Sequence, residues 1–497
     1  MNKIIFLSSV LLLTLICRLQ AQEVDTLKPA VVLSLDDVID LAKRQSPSYY
    51  RATNTKLFRY WQWRNYKSNY MPQLVLEGVL PNYEKAYNPI LQPDGSIIPR
   101  LQHYANSNVR LSLEQNVGAT GGNFFATSSL NRVDNFNDGR AINYNSRPFL
   151  VGYRQPLLRF NQLSWDRRIE PLRFEESKRE YLEDLEEIAV IATDRFFTLL
   201  LEQINLEIAL KNQANNDTIY KIAQGRYNLG KIAEDELLQL ELTSMNSDQA
   251  VSQARLNLET STLRLKIFIG VTDNQPIQLV RPDSIPTFDV DENKAISEAN
   301  KNRQAVIGYK RRLLEAERDV AKAKGDNGLN ADVIATYGTT GVSLAQVGDS
   351  YSNTVPQQTL QVGFNIPIMD WGRSRSRRKI AMANYDVEKN VVAQEILNFE
   401  QEIYTQVRNY RMLKDQLKIT RKSDEVAQKR YDISKNRYLI GKIDITNLNI
   451  ALQEKDKAKR DYVASLRSFW MAHYNLRQLT LYDFETDQVI KSGEPEN

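Results

Sequence analysis

Two hydrophobic patterns alternate along the chain. In the long stretches apolar or small residues recur every three or four positions, as at Leu185, Ala189, Ala192 and Phe196. This period predicts helices with one buried seam. The predicted helices are residues 165–228, 231–270, 372–439 and 442–480, with shorter ones at 292–324 and at 35–70, the last broken near Pro47.

Between these stretches apolar and polar residues alternate one by one. Leu111 and Leu113 alternate with Ser112 and Glu114, and residues 360–366 repeat the pattern. A period of two is typical of a strand with one apolar face. Strands are therefore predicted within residues 73–157 and 331–366. The first region contains four candidates, near 74–80, 108–117, 123–133 and 147–155.

One short motif occurs twice. Arg-Tyr-Asn-Leu-Gly-Lys-Ile at 226–232 returns as Arg-Tyr-Leu-Ile-Gly-Lys-Ile at 437–443, each time between a long and a shorter predicted helix. A glycine there ends a helix by adopting the left-handed conformation. The sequence thus predicts two helical hairpins and two repeats, residues 22–290 and 291–497. Prolines mark 271–290 as an irregular insert, and a polar tail follows residue 480.

Helix length indicates how the elements combine. At ~1.5 Å per residue, 165–228 and 372–439 would each be roughly 95–100 Å long, and their hairpin partners only about 60 Å. The helices 292–324 and 35–70 would supply the difference by stacking beyond 231–270 and 442–480. The prediction is therefore paired rods.

The N-terminal segment is predicted to be a secretory signal. Lys3 precedes an apolar run from Ile4 to Ile16, and cleavage is expected after Ala21. The run is too short to span a membrane. The sole cysteine, Cys17, lies within this segment. A lipid anchor at Cys17 is the alternative, although Leu15-Ile16 departs from the small residues that such a site needs.

Composition argues against two broad classes of function. Charged residues make up 25% of the chain, with 65 Lys and Arg against 61 Asp and Glu, so no nucleic-acid partner is expected. The two histidines, His103 and His473, have no metal-ligand spacing, and no glycine-rich phosphate loop is present. The prediction is a protein that is not an enzyme and binds no cofactor or metal.

The repeated motif and the two strand-to-helix junctions resemble the outer membrane efflux protein family, the TolC-like channels. The junctions are Pro156-Leu157-Leu158 through Trp165-Asp166-Arg167-Arg168, and Pro367 through Arg373. The resemblance implies an α+β chain in a homotrimer, with a shared β-barrel in the outer membrane and a helical barrel in the periplasm. It implies an exit duct of a tripartite efflux pump or type I secretion system. The implied partners are outer-membrane lipid, a periplasmic adaptor (membrane fusion) protein and an inner-membrane transporter of RND, ABC or MFS type.

The strand number departs from the family, which usually has two strands per repeat and twelve per barrel. Either the barrel is larger, or one hairpin is a long strand pair interrupted by glycines, or an extra plug or rim is present. In a barrel, Leu111 and Leu113 would face lipid, and Ser112 and Glu114 the lumen. A soluble sandwich is the alternative for the strands. A periplasmic coiled-coil scaffold or adaptor without a barrel is the alternative for the whole chain.

Three groups of candidate site residues follow from the resemblance and the charges. In the family a tyrosine and acidic residues at the tips close the channel; Tyr438 matches, but Asn447, Ile450 and Ile443 replace two acidic residues and an arginine.

The proposed tip and docking residues are Arg226, Tyr227, Gly230, Arg437, Tyr438 and Gly441. The proposed constriction is Glu234, Asp235, Glu236, Tyr438, Asp444 and Asn447; the acidic residues would give cation preference, or simply stabilise helix N-termini. The proposed membrane–periplasm boundary is Arg167, Arg168, Trp371, Arg373, Arg375 and Arg377, binding lipid phosphates or a neighbour's carboxylates, or forming only a solvated basic patch.

Overall fold

The structure is a computed structural model and describes residues 30–137, 141–273, 275–282, 284–286, 288–344 and 346–491. The predicted signal segment, with Cys17, lies outside these residues. The chain forms two compact units. Over the described residues, one unit contains residues 30–53, 182–302 and 402–491, and the other contains 54–181 and 303–401.

The helices occur in the same order and with the same lengths in both halves. Each half has helices of 11, 22, 67 and 36 residues, in that order. In the first half they are α1 (Leu35–Gln45), α2 (Pro47–Ser68), α3 (Gln162–Asn228) and α4 (Glu234–Ile269). In the second they are α5 (Glu292–Asn302), α6 (Gln304–Gly325), α8 (Arg373–Leu439) and α9 (Ile445–Thr480), with a short α7 (Val347–Ser352) between strands.

One helix prediction is wrong in detail. The single helix predicted for 292–324 is two helices, because the chain leaves the helical conformation at Arg303 (φ −75°, ψ 143°). No proline or glycine marks this break. At the break the side-chain amide of Asn302 donates to the Thr480 carbonyl oxygen of α9 at 3.5 Å. Within the described ranges, no helix is both long enough and apolar enough to cross a membrane.

The first unit packs around the middle of the long helices. The predicted seam of α3 is buried from Ala189 to Leu199, and Ile403, Val407 and Tyr410 of α8 are fully buried. A parallel pair of short strands, β1 (Val31–Leu33) and β6 (Ile277–Leu279), lies in the same unit. Strands β9 (Tyr482–Asp483) and β10 (Gln488–Val489) form an antiparallel pair after α9.

The second unit contains a six-stranded antiparallel sheet. Its strands are β2 (Gln73–Leu91), β3 (Ile97–Val117), β4 (Gly122–Asn135), β5 (Ala141–Leu157), β7 (Asn330–Ser343) and β8 (Thr354–Asn365). They pair in the order β2-β3-β4-β5-β7-β8. The four strands predicted in the first half are therefore four full strands, and they belong to one sheet with the two of the second half. Strands β2 and β8 form its edges.

Candidate functional sites: the sheet faces and the helix tips

One face of the sheet is apolar across all six strands. Cross-strand partners share a face, and the register joins Phe124 to Tyr153, Tyr153 to Ala335, and Ala335 to Leu360. The same register joins Leu74 to Leu113 and Leu76 to Leu111. The apolar members of this face include Leu74, Leu76, Val109, Leu111, Leu113, Phe124, Ala126, Val151, Tyr153, Val333, Ala335, Leu360, Val362 and Phe364, and the same register places Ser128 and Gln358 on it.

The opposite face carries more polar side chains, although Val75, Phe125 and Ile334 also lie on it, and it is more sheltered in the middle of the sheet. Glu77 lies opposite Arg110 on this face, and Ser112 lies between two leucines of the apolar face. Ser112 is only 7% exposed, whereas Leu111 and Leu113 are 42% and 39% exposed. At the edges Leu76 and Leu360 are 70% and 75% exposed, and Glu77 and Gln361 of the opposite face are exposed as well. The middle of the sheet therefore shelters polar side chains and exposes apolar ones, the reverse of the arrangement in a water-soluble sheet.

Aromatic side chains lie beyond one end of the apolar face. Tyr83, His103 and Phe136 form a cluster in which the Tyr83 hydroxyl and His103 Nε2 are 2.8 Å apart. The His103 and Phe136 ring centroids are 4.9 Å apart. Near the other end, Phe124 and Tyr153 are cross-strand neighbours. Aromatic rings at both limits of an apolar band are the pattern of a sheet that crosses a bilayer.

The two strand-to-helix junctions share a backbone feature. After β5, Leu158 has φ of 60°, and after β8, Trp371 has φ of 54°. Both side chains are exposed, Leu158 at 71% and Trp371 at 91%. Such values are uncommon for residues other than glycine. The two residues are not at equivalent positions, since Leu158 lies four residues before α3 and Trp371 two residues before α8.

Polar side chains start the long helices after these junctions. The Asn161 side-chain oxygen accepts from the Ser164 backbone N–H at 3.1 Å, and the Asp370 carboxylate accepts from the Gly372 and Ser374 N–H groups at 2.9 and 2.8 Å. These contacts satisfy donors that a helix start leaves unpaired. Sequence reasoning missed both residues, although a short Asn or Asp side chain before a helix is their ordinary signal.

The predicted boundary arginines lie within the first two turns of these helices. The Arg168 guanidinium is 4.5 Å from the ring centroid of Trp165, and Arg377 donates to the Asn327 side-chain oxygen at 3.0 Å. Arg373 and Arg375 fall in the first turn of α8. The binding of these arginines to lipid phosphates or to carboxylates of a neighbouring copy stays a prediction.

The repeated motif forms the same helix end twice. Gly230 and Gly441 have φ of 65° and 73°. At the first tip, the Gly230 N–H donates to the Tyr227 carbonyl oxygen at 2.8 Å, and Lys231 N–H donates to that of Arg226 at 2.9 Å. Gly441 and Lys442 repeat both bonds at 2.9 Å. This is a Schellman motif, and it explains why the glycine is needed in each copy.

The two tips differ in their side chains. Tyr438 is buried (4% exposed), whereas the matching Tyr227 is 38% exposed. Arg226 reaches from the first tip to the second: it donates to the Leu439 carbonyl oxygen at 3.3 Å, and its guanidinium is 5.7 Å from the Tyr438 ring centroid. Burial raises the pKa of the Tyr438 hydroxyl. The tips therefore contact each other through Arg226 and Tyr438.

A small apolar cluster holds the four helices together near the tips. Its buried members include Ala223 of α3, Leu240 of α4, Tyr431 of α8 and Leu448 of α9, so each helix contributes. Ile232 and Ile443, which end the two motifs, pack against it. The tips are therefore a packed structure.

The acidic constriction residues take two kinds of position. Glu234, Asp235 and Glu236 form the first turn of α4, where the helix dipole favours carboxylates. Asp444 caps α9 and accepts from the Asn447 backbone N–H at 2.8 Å. Asp444 therefore has a structural role whatever else it does. Among the described residues, no cluster of three or more His, Cys, Asp or Glu could hold a metal ion.

Comparison with known proteins finds one family whose sequences match part of this chain. Residues 295–480 match the sequence profile of the outer membrane efflux protein family. The matched stretch is 186 of the 497 residues, and over it the chain is similar to that family. The resemblance noted in the motifs is thereby confirmed. This family consists of channel proteins rather than enzymes. A search of curated protein sequences finds no match.

Solved structures of outer-membrane channels share the fold of the whole chain. The outer-membrane channel OprN has a TM-score of 0.65 at 14% identity, over 91% of this chain and 90% of that one. The CmeC outer membrane channel of Campylobacter jejuni has a TM-score of 0.64 at 16% identity, over 92% and 87%. The outer membrane protein VceC of Vibrio cholerae has a TM-score of 0.61 at 12% identity, over 91% and 96%. The match covers both units, including the half that the family profile does not reach.

Proposed function

We propose that this protein is the outer-membrane exit duct of a tripartite efflux pump or type I secretion system. Three copies form a β-barrel in the outer membrane from their sheets and a helical tunnel in the periplasm from their helices. The observation that carries the proposal is the exposed apolar face that continues across six strands, opposite a sheltered polar face. Lipid would cover the first face and water the second.

The soluble alternatives do not account for this face. A soluble sandwich would bury apolar residues between two sheets, whereas Leu74 and Phe364 are 67% and 75% exposed. A periplasmic scaffold would have the same difficulty. Membrane fractionation separates the possibilities: we expect a detergent-requiring, SDS-resistant trimer in the outer membrane. A soluble periplasmic species would support the scaffold and overturn the duct.

The tips are proposed to form the gate and the docking site for a periplasmic adaptor. Arg226 and Tyr438 join the two hairpins within one chain, so opening would require this contact to break. The inner-membrane transporter would supply the energy, since the family is passive at the outer membrane. Adaptor docking at Tyr227–Gly230 and Tyr438–Gly441 rests on the resemblance and on the accessible position of Tyr227.

Cation preference is proposed for the constriction. The test is single-channel selectivity of purified protein with Glu234→Gln, Asp235→Asn, Glu236→Gln and Asp444→Asn, alone and combined. Asn caps a helix as well as Asp does, so Asp444→Asn removes charge and keeps the cap. We expect reduced cation selectivity, with Asp415→Asn on α8 as an exposed acidic control. Anion selectivity in the unmodified protein, or no change in the combined variant, would contradict the proposal.

The boundary arginines are proposed to bind phosphate groups of inner-leaflet lipid. Arg373 and Arg375 lie in the first turn of α8, where the dipole disfavours cations, so an anion should offset them. Arg168 also lies over the Trp165 ring, as expected near a membrane interface. Loss of lipid co-purification in a variant with Arg373, Arg375 and Arg377 changed to Gln would support this role. Unchanged lipid content would leave only a solvated basic patch.

A further inference from the structure

Both edges of the six-stranded sheet lack a strand partner within the described chain. Strand β2 pairs only with β3, and strand β8 pairs only with β7. An edge presents a row of unpaired backbone N–H and C=O groups. The edges also carry exposed apolar side chains, among them Leu76 at 70% and Phe364 at 75%. Soluble proteins protect such edges with charge or with covering elements.

Inside a bilayer both edges need a strand partner, and this step rests on the proposed function. An open sheet edge in the hydrocarbon region would leave several backbone groups without partners, each at a cost of several kcal/mol. The six strands do not close on themselves, because β2 and β8 are not paired with each other, and membrane barrels have at least eight strands. The edges must therefore be covered by strands from elsewhere.

A second copy of this chain fits both edges in direction. The six strands are antiparallel throughout, so β2 and β8 run in opposite directions. When β8 of one copy is placed beside β2 of the next, the new pair is also antiparallel. The contact is head-to-tail and can repeat until a ring closes. An odd number of strands per copy would not have allowed this.

The two faces fix the parity of the new pair. Leu74 and Leu76 of β2 lie on the apolar face, as do Val362 and Phe364 of β8. A shift of one residue would turn every apolar side chain of one strand toward the polar side. Even-numbered residues of β2 must therefore face even-numbered residues of β8 at this end.

The strand ends select one register among those of the right parity. Strand β2 begins at Gln73, five residues after α2 ends at Ser68, and β8 ends at Asn365, eight residues before α8 begins at Arg373. Aligning these ends places Asn365 opposite Gln73. Leu74 then lies opposite Phe364 and Leu76 opposite Val362, so large apolar residues pair on the outer face. On the polar face Glu77 lies opposite Gln361.

We propose that β8 of each copy pairs with β2 of the next in the register Glu77–Gln361, so that three copies close a barrel of eighteen strands. The first hairpin, β2 and β3, is then part of the barrel wall and is not a plug or rim. Because barrel diameter grows roughly linearly with strand number, the bore would be about 1.5 times that of a trimer with four strands per copy.

Cysteine cross-linking in isolated outer membranes tests the pairing. The only natural cysteine is Cys17, so single-cysteine variants serve as the background. In the double variant Glu77→Cys, Gln361→Cys, oxidation or a short bifunctional maleimide should give a ladder that ends at a covalent trimer on a denaturing gel. The matched control, Glu77→Cys with Val362→Cys, places the thiols on opposite faces and should give little product.

The outcomes separate this inference from the proposed function. A trimer in the outer membrane that cross-links from Gln361→Cys to Thr127→Cys of β4, and not to Glu77→Cys, would put the first hairpin outside the wall and overturn the inference alone. A trimer that cross-links at neither position would also overturn it. A soluble or monomeric protein by fractionation and native mass spectrometry would overturn the proposed function as well.

Discussion

At the scale of single residues, two glycines bear most directly on the tips. Gly230 and Gly441 have positive φ, and a Cβ at either position would meet no atom within 4 Å. Substitution would therefore act through backbone strain alone. We expect Gly230→Ala and Gly441→Ala each to destabilise its tip by about 1–2 kcal/mol, seen as faster amide hydrogen exchange in residues flanking the turn.

Gly225 supplies a matched control for this prediction. It lies inside α3, three residues before the helix ends, and a Cβ there also meets no atom within 4 Å. Its φ is not in the left-handed region. Gly225→Ala should therefore slow exchange, because alanine is favoured over glycine in a helix by roughly 0.5–1 kcal/mol. Equal behaviour of the three variants would contradict the Schellman assignment.

A buried ion-pair network is the second residue-scale feature. Glu186 of α3 accepts from Lys43 of α1 at 2.6 Å and from Arg477 of α9 at 3.0 Å. Burial raises the pKa of the Glu186 carboxyl, but the two cations outweigh it and the net pKa lies below its usual value. Arg477 also contacts Asp483 at 2.5 Å. The network therefore ties three helices and β9 together.

Glu186→Gln should destabilise the first unit by about 3 kcal/mol near pH 7, because it leaves the partly buried Lys43 and Arg477 without their buried counter-charge. The exposed neighbour Glu187→Gln should have little effect. Since the folded-state pKa of Glu186 is depressed, its contribution is present above the unfolded value of about 4.3 and is lost as pH falls below it. Thermal unfolding in detergent should show the two variants converging with acid. A constant gap down to low pH would contradict the ion-pair assignment.

At the scale of elements, the sheet faces can be tested by charge. Val109 lies on the apolar face, midway along β3 between the two aromatic levels, and Asn108 lies on the polar face. A lysine facing lipid at the bilayer midplane costs about 2–4 kcal/mol. Val109→Lys should therefore sharply reduce the trimer recovered from the outer membrane, whereas Asn108→Lys should not. Similar yields for the two variants would mean that the apolar face does not meet lipid.

The elements also show what a single sequence can and cannot predict. Hydrophobic period located the long helices, and the repeated Gly located both tips, because these signals are local. The outer parts of β2 and β3 were not predicted, since Pro89 and Pro99 argue against strands. Pro89 of β2 and Pro99 of β3 lie opposite each other, in the outer part of this hairpin. The pairing of β3 with β4 begins only at Tyr104, so the outer part of β3 is also an edge. A free edge tolerates proline, but only the register reveals that edge.

Contacts between distant residues explain the remaining differences at the site. Both tips carry the same motif, so the sequence predicted equivalent tyrosines. The structure buries Tyr438 and exposes Tyr227 because Arg226 crosses to the second tip, a contact set by the packing of four helices. Nothing in the local sequence distinguishes Arg226 from Arg437 in this respect.

At the scale of the whole molecule, this asymmetry predicts which tip controls leakage. Under the proposed function, the resting channel is closed at the tips, and Arg226 joins the hairpins within each copy. Arg226→Ala removes its contacts with Leu439 and Tyr438. We expect a higher resting conductance in bilayers and greater sensitivity of cells to large hydrophilic antibiotics.

Arg437→Ala is the matched substitution, because Arg437 occupies the same place in the second motif and is exposed. It should leave resting conductance near that of the unmodified protein. Equal outer-membrane abundance of the two variants must accompany the comparison, so that a leak reflects opening and not damage to the membrane. If Arg437→Ala opened the channel as much as Arg226→Ala does, closure would depend on the positive charge of both motifs. The contact of Arg226 with Leu439 and Tyr438 would then not be what holds the channel closed.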